Sequence, residues 1–130
     1  MKKTFVSPLS ITVGSKRYIL NLNNYRNWYF RTSNNIKIAY KKFIREQLVK
    51  IAYQFKKAKV SYTVYRDSNR RFDLGNVCSI HEKFFEDAAV EYGVFPDDKA
   101  SVIQEVHYYN GGVDRKNPRV EIEVEGEIDG

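Results

Sequence analysis

The chain has 130 residues, with 22 Lys or Arg against 16 Asp or Glu and a net charge of +6. Its 10 Tyr and 8 Phe residues are typical of a folded domain and exclude a disordered polar chain. Cys78 is the single cysteine, so an intrachain disulfide is excluded, and no apolar run is long enough to span a membrane. The basic N-terminus lacks the apolar stretch of a signal peptide, which predicts a cytoplasmic protein.

The charge is unevenly distributed along the chain. Residues 1–60 carry 14 basic groups and one acidic group, whereas residues 61–130 carry 8 basic and 15 acidic groups. A basic half of this kind indicates a polyanionic partner such as nucleic acid. The alternatives are ordinary solvated faces or, with less support from the rest of the chain, an anionic membrane surface.

Apolar periodicity predicts the elements of the N-terminal half. Alternating apolar residues indicate extended chain, and a longer period indicates a helix that Ser33 or Asn34 caps. In chain order, the predicted elements are extended segments at 3–6 and 10–22 with a turn at 14–16, a polar and aromatic loop at 21–30, and a helix at 36–55.

The C-terminal half mixes strands with one further helix. The predicted elements are a strand at 59–65, a loop at 66–71, a helix at 76–92 ended by Gly93, a strand at 102–108, a turn at 110–112, a strand at 119–124 and an acidic frayed tail at 125–130. The order predicts an α+β fold in which a small mixed β-sheet packs against two main helices. Residues 1–124 form one predicted domain.

Two acidic clusters bracket the second helix. The first is Arg-Arg-Phe-Asp-Leu-Gly-Asn at 70–76, and the second is Gly-Val-Phe-Pro-Asp-Asp at 93–98. A carboxylate behind two arginines suggests a metal ion beside a phosphodiester, because Mg²⁺ needs only one or two carboxylates when phosphate supplies other ligands. Asp73 is equally suited to be a helix N-cap, and Asp97 and Asp98 to form a surface turn.

The two clusters meet in space only under certain conditions. A helix of 17 residues is about 25 Å long at ~1.5 Å per residue. The clusters come together if the helix starts late or tilts across the sheet, or if two subunits each supply one of them.

Other polar residues have competing interpretations. Lys83 either steadies a developing oxyanion or forms an ion pair with Asp87 four residues later. His81 is predicted to lie on the helix surface, and His107 has no visible metal partner. Without a Cys/His cluster a zinc site is not supported, and Cys78 is predicted to be a buried, inert thiol.

The loop at 21–30 combines polar and aromatic residues. Asn23, Asn24, Tyr25, Arg26 and Trp28 suit either contacts with nucleic acid or a loop whose aromatic rings fill the core. The sequence leaves these two alternatives equal.

Together these residues resemble the RusA family of Holliday-junction resolvases, which are small endonucleases common in phages and prophages. The resemblance covers most of the chain and is strongest from Asp67 to Asp98. It rests on an arginine-rich loop with an aspartate and an asparagine, a helix with Lys and Asp-Ala, and a terminal Asp-Asp turn. The matching residues are Arg70, Arg71, Asp73, Asn76, Lys83, Asp87, Ala88, Gly93, Asp97 and Asp98, with Asn23, Asn24, Tyr40 and Lys41 nearer the N-terminus.

The chain departs from the family pattern at two points. Gly75 occupies the position of a second aspartate, so one carboxylate ligand is missing, and Asp97, Asp87, Asp67 or water would replace it. The helix also has about one extra turn before Lys83, at ~3.6 residues per turn.

The resemblance implies a homodimer that binds four-way DNA junctions and cuts them by metal-dependent phosphodiester hydrolysis. Asp73, Asp98 and Asp97 would hold Mg²⁺, or Mn²⁺ in its place, and Lys83 would join Asp73 and Asp98 in catalysis. The implied DNA contacts are Arg70, Arg71, Asn23, Asn24, Arg26 and Lys41. One alternative is a branched-DNA-binding protein that has lost catalysis through Gly75, and a weaker one is a basic interaction domain with no DNA role.

Overall fold

A computed structural model describes residues 1–128 of the chain. It contains six strands and three helices over this range. Their bounds are β1 Lys2–Ser7, β2 Ser10–Val13, β3 Lys16–Ile19, α1 Leu22–Asn27, α2 Phe30–Val49, β4 Phe55–Arg66, α3 Leu74–Glu91, β5 Ile103–Val113 and β6 Arg119–Ile128.

Four of the strands form one mixed sheet in the order β1-β6-β4-β5. Strands β4 and β5 are parallel and are joined through α3, whereas β6 runs antiparallel to both β1 and β4. Strands β2 and β3 form a separate hairpin. The predicted α+β class with a mixed sheet and two long helices is confirmed.

The central strands alternate buried and more exposed side chains, as the sequence predicts for a sheet covered on one face. In β4, Val60, Tyr62 and Val64 are buried against the helices. The side chains between them are polar and partly or fully exposed, and β6 repeats the alternation with glutamates on its exposed side. Helices α2 and α3 therefore cover one face of the sheet and leave a polar, acidic face open.

The N-terminal helices differ from the sequence prediction. Part of the predicted loop at 21–30 is helix α1, because the Asn21 side chain caps it by accepting from the Asn24 amide. Helix α2 covers 30–49 instead of 36–55, and neither Ser33 nor Asn34 is its cap. Ile51, Ala52 and Phe55 mimic a helix face, but Phe55 is buried as the first residue of β4, where its ring packs on Phe95.

Strand β5 runs straight through the turn predicted at 110–112. The pairing with β4 shifts there, so that Val64 pairs with Asn110 and Tyr65 with Gly112. Gly111 is left as a bulge, and a Cβ at this position would lie 2.7 Å from the Tyr65 ring. The chain instead turns after Val113, within residues 114–118.

The last strand is longer than predicted and includes most of the tail expected to fray. Residues 125–128 belong to β6, where Glu125 pairs with both Lys2 and Lys59. Pairing with β1 and β4, which place Lys2 and Lys59 opposite Glu125, orders this segment. The sequence of the segment alone does not reveal that pairing. Residues 129–130 lie outside the described range.

Candidate nucleic-acid interface

Asp73 is the N-cap of α3. Its carboxylate accepts a 3.2 Å hydrogen bond from the Asn76 amide, and its side chain is exposed. The capping interpretation of Asp73 is therefore confirmed. One face of the carboxylate remains open to solvent, so the cap does not exhaust its capacity to bind a cation.

The loop before Asp73 is anchored by Arg66. Its guanidinium lies over the Phe72 ring at 4.3 Å and donates a 2.6 Å hydrogen bond to the Arg70 carbonyl. Arg70 and Arg71 themselves are exposed, and neither has an ion-pair partner within residues 1–128. Two unneutralised guanidiniums thus flank the start of α3, where the helix dipole also favours anions.

Asn76 connects this end of α3 to α1. Its side-chain oxygen accepts a 2.9 Å hydrogen bond from the Asn23 amide. The Asn24 side chain is used internally, donating to the Ile19 carbonyl at 3.0 Å. Asn23 is exposed beside the start of α3, and Arg26 is exposed on α1, whereas Asn24 has mainly a structural role.

A cluster of aromatic and basic side chains involves residues of α1, α2 and α3. The ammonium groups of Lys37 and Lys83 lie 5.6 and 5.8 Å from the centre of the Tyr25 ring. Lys83 forms no ion pair with Asp87, so the simple helix-pair interpretation of these two residues is wrong. Lys83 instead lies over the Tyr25 ring together with Lys37.

Two further aromatic residues project from the junction of α1 and α2. Tyr29 and Phe30 are 86% and 85% exposed, which is unusual for side chains of this size. Arg26 precedes them and Arg31 follows, both exposed. We refer to Tyr25, Arg26, Tyr29, Phe30, Arg31, Lys37 and Lys83 as the aromatic–basic surface.

Asp97 and Asp98 lie beyond the other end of α3. Gly93 ends the helix with a φ of 81°, as predicted, and the Val94 amide then donates to the Ala89 carbonyl. The Asp97 carboxylate accepts a 2.8 Å hydrogen bond from the Lys99 amide, which is the surface-turn geometry. Lys41 is also at this end, paired with Glu91 at 3.1 Å.

The two predicted carboxylate groups are therefore separated by the helix itself. Helix α3 has 18 residues, which at ~1.5 Å per residue makes it about 27 Å long. It begins directly after Asp73 and does not start late. Within residues 1–128, no three His, Cys, Asp or Glu side chains lie close enough to hold a metal ion. One protomer does not fit a Mg²⁺ site shared by Asp73 and Asp98.

Asp98 instead has a buried carboxylate in its vicinity. Glu86 is buried under α3 and accepts a 2.9 Å hydrogen bond from the Tyr62 hydroxyl. The pKa of Glu86 is raised to about 7, chiefly by burial. The hydrogen bond from Tyr62 lowers this pKa, whereas the negative charges of Glu82, Asp98 and Asp87 contribute to the rise. Glu86 is a buried polar residue that the sequence did not single out.

His81 is fully buried and does not lie on the helix surface, so that prediction is wrong. Its Nδ1 lies 2.7 Å from the Ser7 hydroxyl, which in turn lies 2.8 Å from the Tyr40 hydroxyl. Burial lowers the pKa of His81 to about 3, so the imidazole is neutral at physiological pH. Cys78 is buried as predicted, and burial raises the pKa of its thiol to about 12.

Tyr29 and Phe30 are also residues that sequence analysis missed. They lie between two helices, where no apolar period includes them. At such a position the sequence does not distinguish an exposed ring from a buried one.

No protein-family model and no curated protein matches this chain. No helix within residues 1–128 is long and apolar enough to cross a membrane.

Proposed function

We propose that this protein is a structure-specific DNA endonuclease that binds four-way junctions and acts as a homodimer. The observation that carries the proposal is the start of α3, where exposed Arg70 and Arg71 stand beside the N-cap carboxylate of Asp73. Unpaired arginines at a helix N-terminus suit a phosphate backbone. The RusA-like pattern of the sequence gives the same substrate and points to Mg²⁺ or Mn²⁺ as cofactor.

The aromatic–basic surface supports the DNA-binding part of the proposal. Cations neutralise phosphates, and exposed rings stack on bases that are not fully paired. A four-way junction offers both, because the strands exchange at its centre. The proposed DNA contacts are Arg70, Arg71, Asn23 and Arg26, joined by the rings of Tyr29 and Phe30.

Cleavage requires more than one copy in this proposal. Asp73 and Asp98 of one protomer lie at opposite ends of α3, so the proposed metal ligands meet only if Asp98 of a second copy reaches Asp73 of the first. A two-fold dimer would form two such sites, one for each strand to be cut. The second candidate, a binding-only protein, is favoured by Gly75, which removes a carboxylate next to Asp73.

The test is incubation of the purified protein with a labelled four-way junction or a matched linear duplex, in Mg²⁺, in Mn²⁺ or in EDTA. We expect paired symmetric cuts in the junction alone, lost in EDTA, in Asp73→Asn and in Asp98→Asn. Tight junction binding without cuts under either metal would favour the binding-only candidate. Equal affinity for junction and duplex would overturn both.

A mixing experiment tests the shared site. When Asp73→Asn and Asp98→Asn proteins exchange subunits, each mixed dimer regains one site with both native aspartates, so about a quarter of all sites recover. Nicking should therefore return in the mixture and be absent from either protein alone. As a control, Asp73→Asn mixed with the double variant should stay inactive.

A further inference from the structure

A cavity of about 200 Å³ opens beside the start of α3. It lies where β4 ends and α3 begins, under the β2–β3 hairpin. Its apolar walls come from Leu20, Val64, Phe72 and Val77, with Ile19 at the more exposed side. The cavity is at the carboxyl end of β4, one of the two parallel strands of the sheet.

The polar groups of the cavity are concentrated on one side. Arg66, Asp67, Ser68, Arg70 and Arg71 all line it. They provide hydrogen-bond donors, an acceptor carboxylate and a hydroxyl that can do both. An apolar slot with a few polar groups at one side is the usual form of a small-molecule site.

Arg66 has a fixed position in the wall of the cavity. Its guanidinium is stacked on Phe72 and bonded to the Arg70 carbonyl, yet its Nε–H is buried without an acceptor within the described residues. The Nε–H has almost no accessible surface and therefore does not face the cavity, whereas Phe72 and the Arg70 carbonyl fix the position of the guanidinium in the wall.

We propose that this cavity binds the base of a single nucleotide whose phosphate is held by Arg70 and Arg71. The volume is below the ~300–1,000 Å³ of pockets for whole drug-sized ligands, which suits one base better than a dinucleotide. The apolar walls and the Phe72–Arg66 pair would contact the base faces, and Arg66, Asp67 and Ser68 its polar edge.

The inference rests on the proposed function, because DNA at the branch point would be the source of the nucleotide. Phe72 directly precedes Asp73, so a base in the cavity would belong to a nucleotide next to the phosphate that faces Asp73. A base turned out of its stack near the branch point would then make the choice of cutting position depend on sequence. A free mononucleotide has the same chemistry and is the other possible source.

The first test is titration of ¹⁵N-labelled protein with each of the four deoxynucleoside 5′-monophosphates, with deoxyribose 5-phosphate and inorganic phosphate as probes that lack a base. We expect saturable shifts of amides in residues 64–77, and at least about tenfold weaker binding of the probes without a base, which is the size expected for loss of base stacking. Absence of saturable shifts up to millimolar nucleotide, or equal binding of deoxyribose 5-phosphate, would overturn the proposal.

A variant that fills the cavity provides the matched comparison. Ile19 is 53% exposed, so Ile19→Trp can occupy the cavity without disturbing the core, and Ile38, 49% exposed on α2, gives Ile38→Trp as the control. Nucleotide affinity should fall about tenfold or more in Ile19→Trp and stay unchanged in Ile38→Trp. Equal affinity in both variants would place the nucleotide outside the cavity.

The second test uses four-way junctions with 2-aminopurine at successive positions around the branch point. If the cavity takes a base from DNA, fluorescence rises on binding at one position, and Ile19→Trp abolishes the rise. If nucleotides bind but no position responds, the source is a free nucleotide. If junctions bind, but nucleotides cause no saturable amide shifts and 2-aminopurine shows no rise in fluorescence, the cavity does not bind a base and the proposed function stands.

Discussion

The Tyr62 hydroxyl donates a 2.9 Å hydrogen bond to the carboxylate of Glu86, and both side chains are buried. A single hydrogen bond only partly offsets the cost of removing a charged carboxylate from water. The interior of this protein therefore holds an acid that gains a proton more readily in the folded state than in the unfolded state.

The first prediction is a loss of stability as pH rises. The pKa of Glu86 is about 7 in the folded protein and 4.5 by ordinary value, so the folded state binds more protons between these pH values. The stability that comes from proton binding at Glu86 is fully present below about pH 4.5 and is lost as pH rises through about 7. Glu86→Gln should remove this pH dependence. From pH 4 to pH 8, its free energy of unfolding should rise by roughly 2–3 kcal/mol relative to that of wild type.

Urea unfolding at a series of pH values measures this effect. Glu46→Gln, a change at an exposed acid on α2 whose charge does not act on Glu86, is the control and should leave the pH dependence as it is in wild type. Parallel stability curves for wild type and Glu86→Gln would contradict the pKa given for Glu86.

The second prediction concerns the buried side chains of Ser7, Tyr40 and His81, which are linked by hydrogen bonds. Ser7→Ala leaves the Tyr40 hydroxyl and the His81 Nδ1 without their common partner. Two buried polar groups without partners should cost about 2–4 kcal/mol in free energy of unfolding. Ser101→Ala, at an exposed position, is the control. A loss in Ser7→Ala below about 0.5 kcal/mol would mean that water or a rearrangement replaces the bonds.

The third prediction separates stacking from charge on the aromatic–basic surface. Tyr29→Ala and Phe30→Ala should each weaken junction binding about tenfold, through lost base stacking, without changing its salt dependence. Neither should lower the melting temperature, because both rings are more than four-fifths exposed. Arg31→Ala should instead reduce the slope of log affinity against log salt by about one.

Fluorescence anisotropy with a labelled junction at several salt concentrations measures both quantities. Tyr109→Ala is the matched control, since this ring is 51% exposed on β5. If Tyr109→Ala weakens binding as much as Tyr29→Ala does, the aromatic–basic surface is not the specific contact.

The fourth prediction restores a carboxylate next to Asp73. A Cβ at Gly75 would have Asp73 Oδ1 as its nearest atom, at 3.5 Å, which is an ordinary contact distance. Both Gly75→Ala and Gly75→Asp should stabilise α3, for Ala by about 0.5–1 kcal/mol. Only Gly75→Asp should increase Mg²⁺-dependent nicking of junctions, by about tenfold or more, because it alone adds a metal ligand. Equal rates in the two variants would show that the gain comes from helix stability.

Local patterns explain which elements could be predicted. The alternation in β4 and the apolar face of α3 follow from side-chain period, so both elements were recognised within a few residues of their ends. The bulge at Gly111 and the extension of β6 to Ile128 depend on partners far away in the sequence. No local pattern carries that information.

For the candidate site, the sequence proposes residues and does not give their arrangement. The sequence singled out Arg70, Asp73 and Asp98 by chemistry, and the structure shows Asp73 as an N-cap. Whether the clusters meet depends on where α3 begins, and the cap fixes that start at Leu74. Glu86 and His81 were missed as interior groups because burial of a polar side chain is set by the elements that pack on it.

The separation of Asp73 and Asp98 by the length of α3 has a consequence for how activity would depend on dosage. Cleavage that needs one residue from each of two copies is second order in protein while most chains are monomeric. Halving the amount of protein would then lower the rate about fourfold under those conditions. A cell that makes a trace of this protein would be shielded from its cutting, and activity would rise sharply once expression passed the dimer dissociation constant.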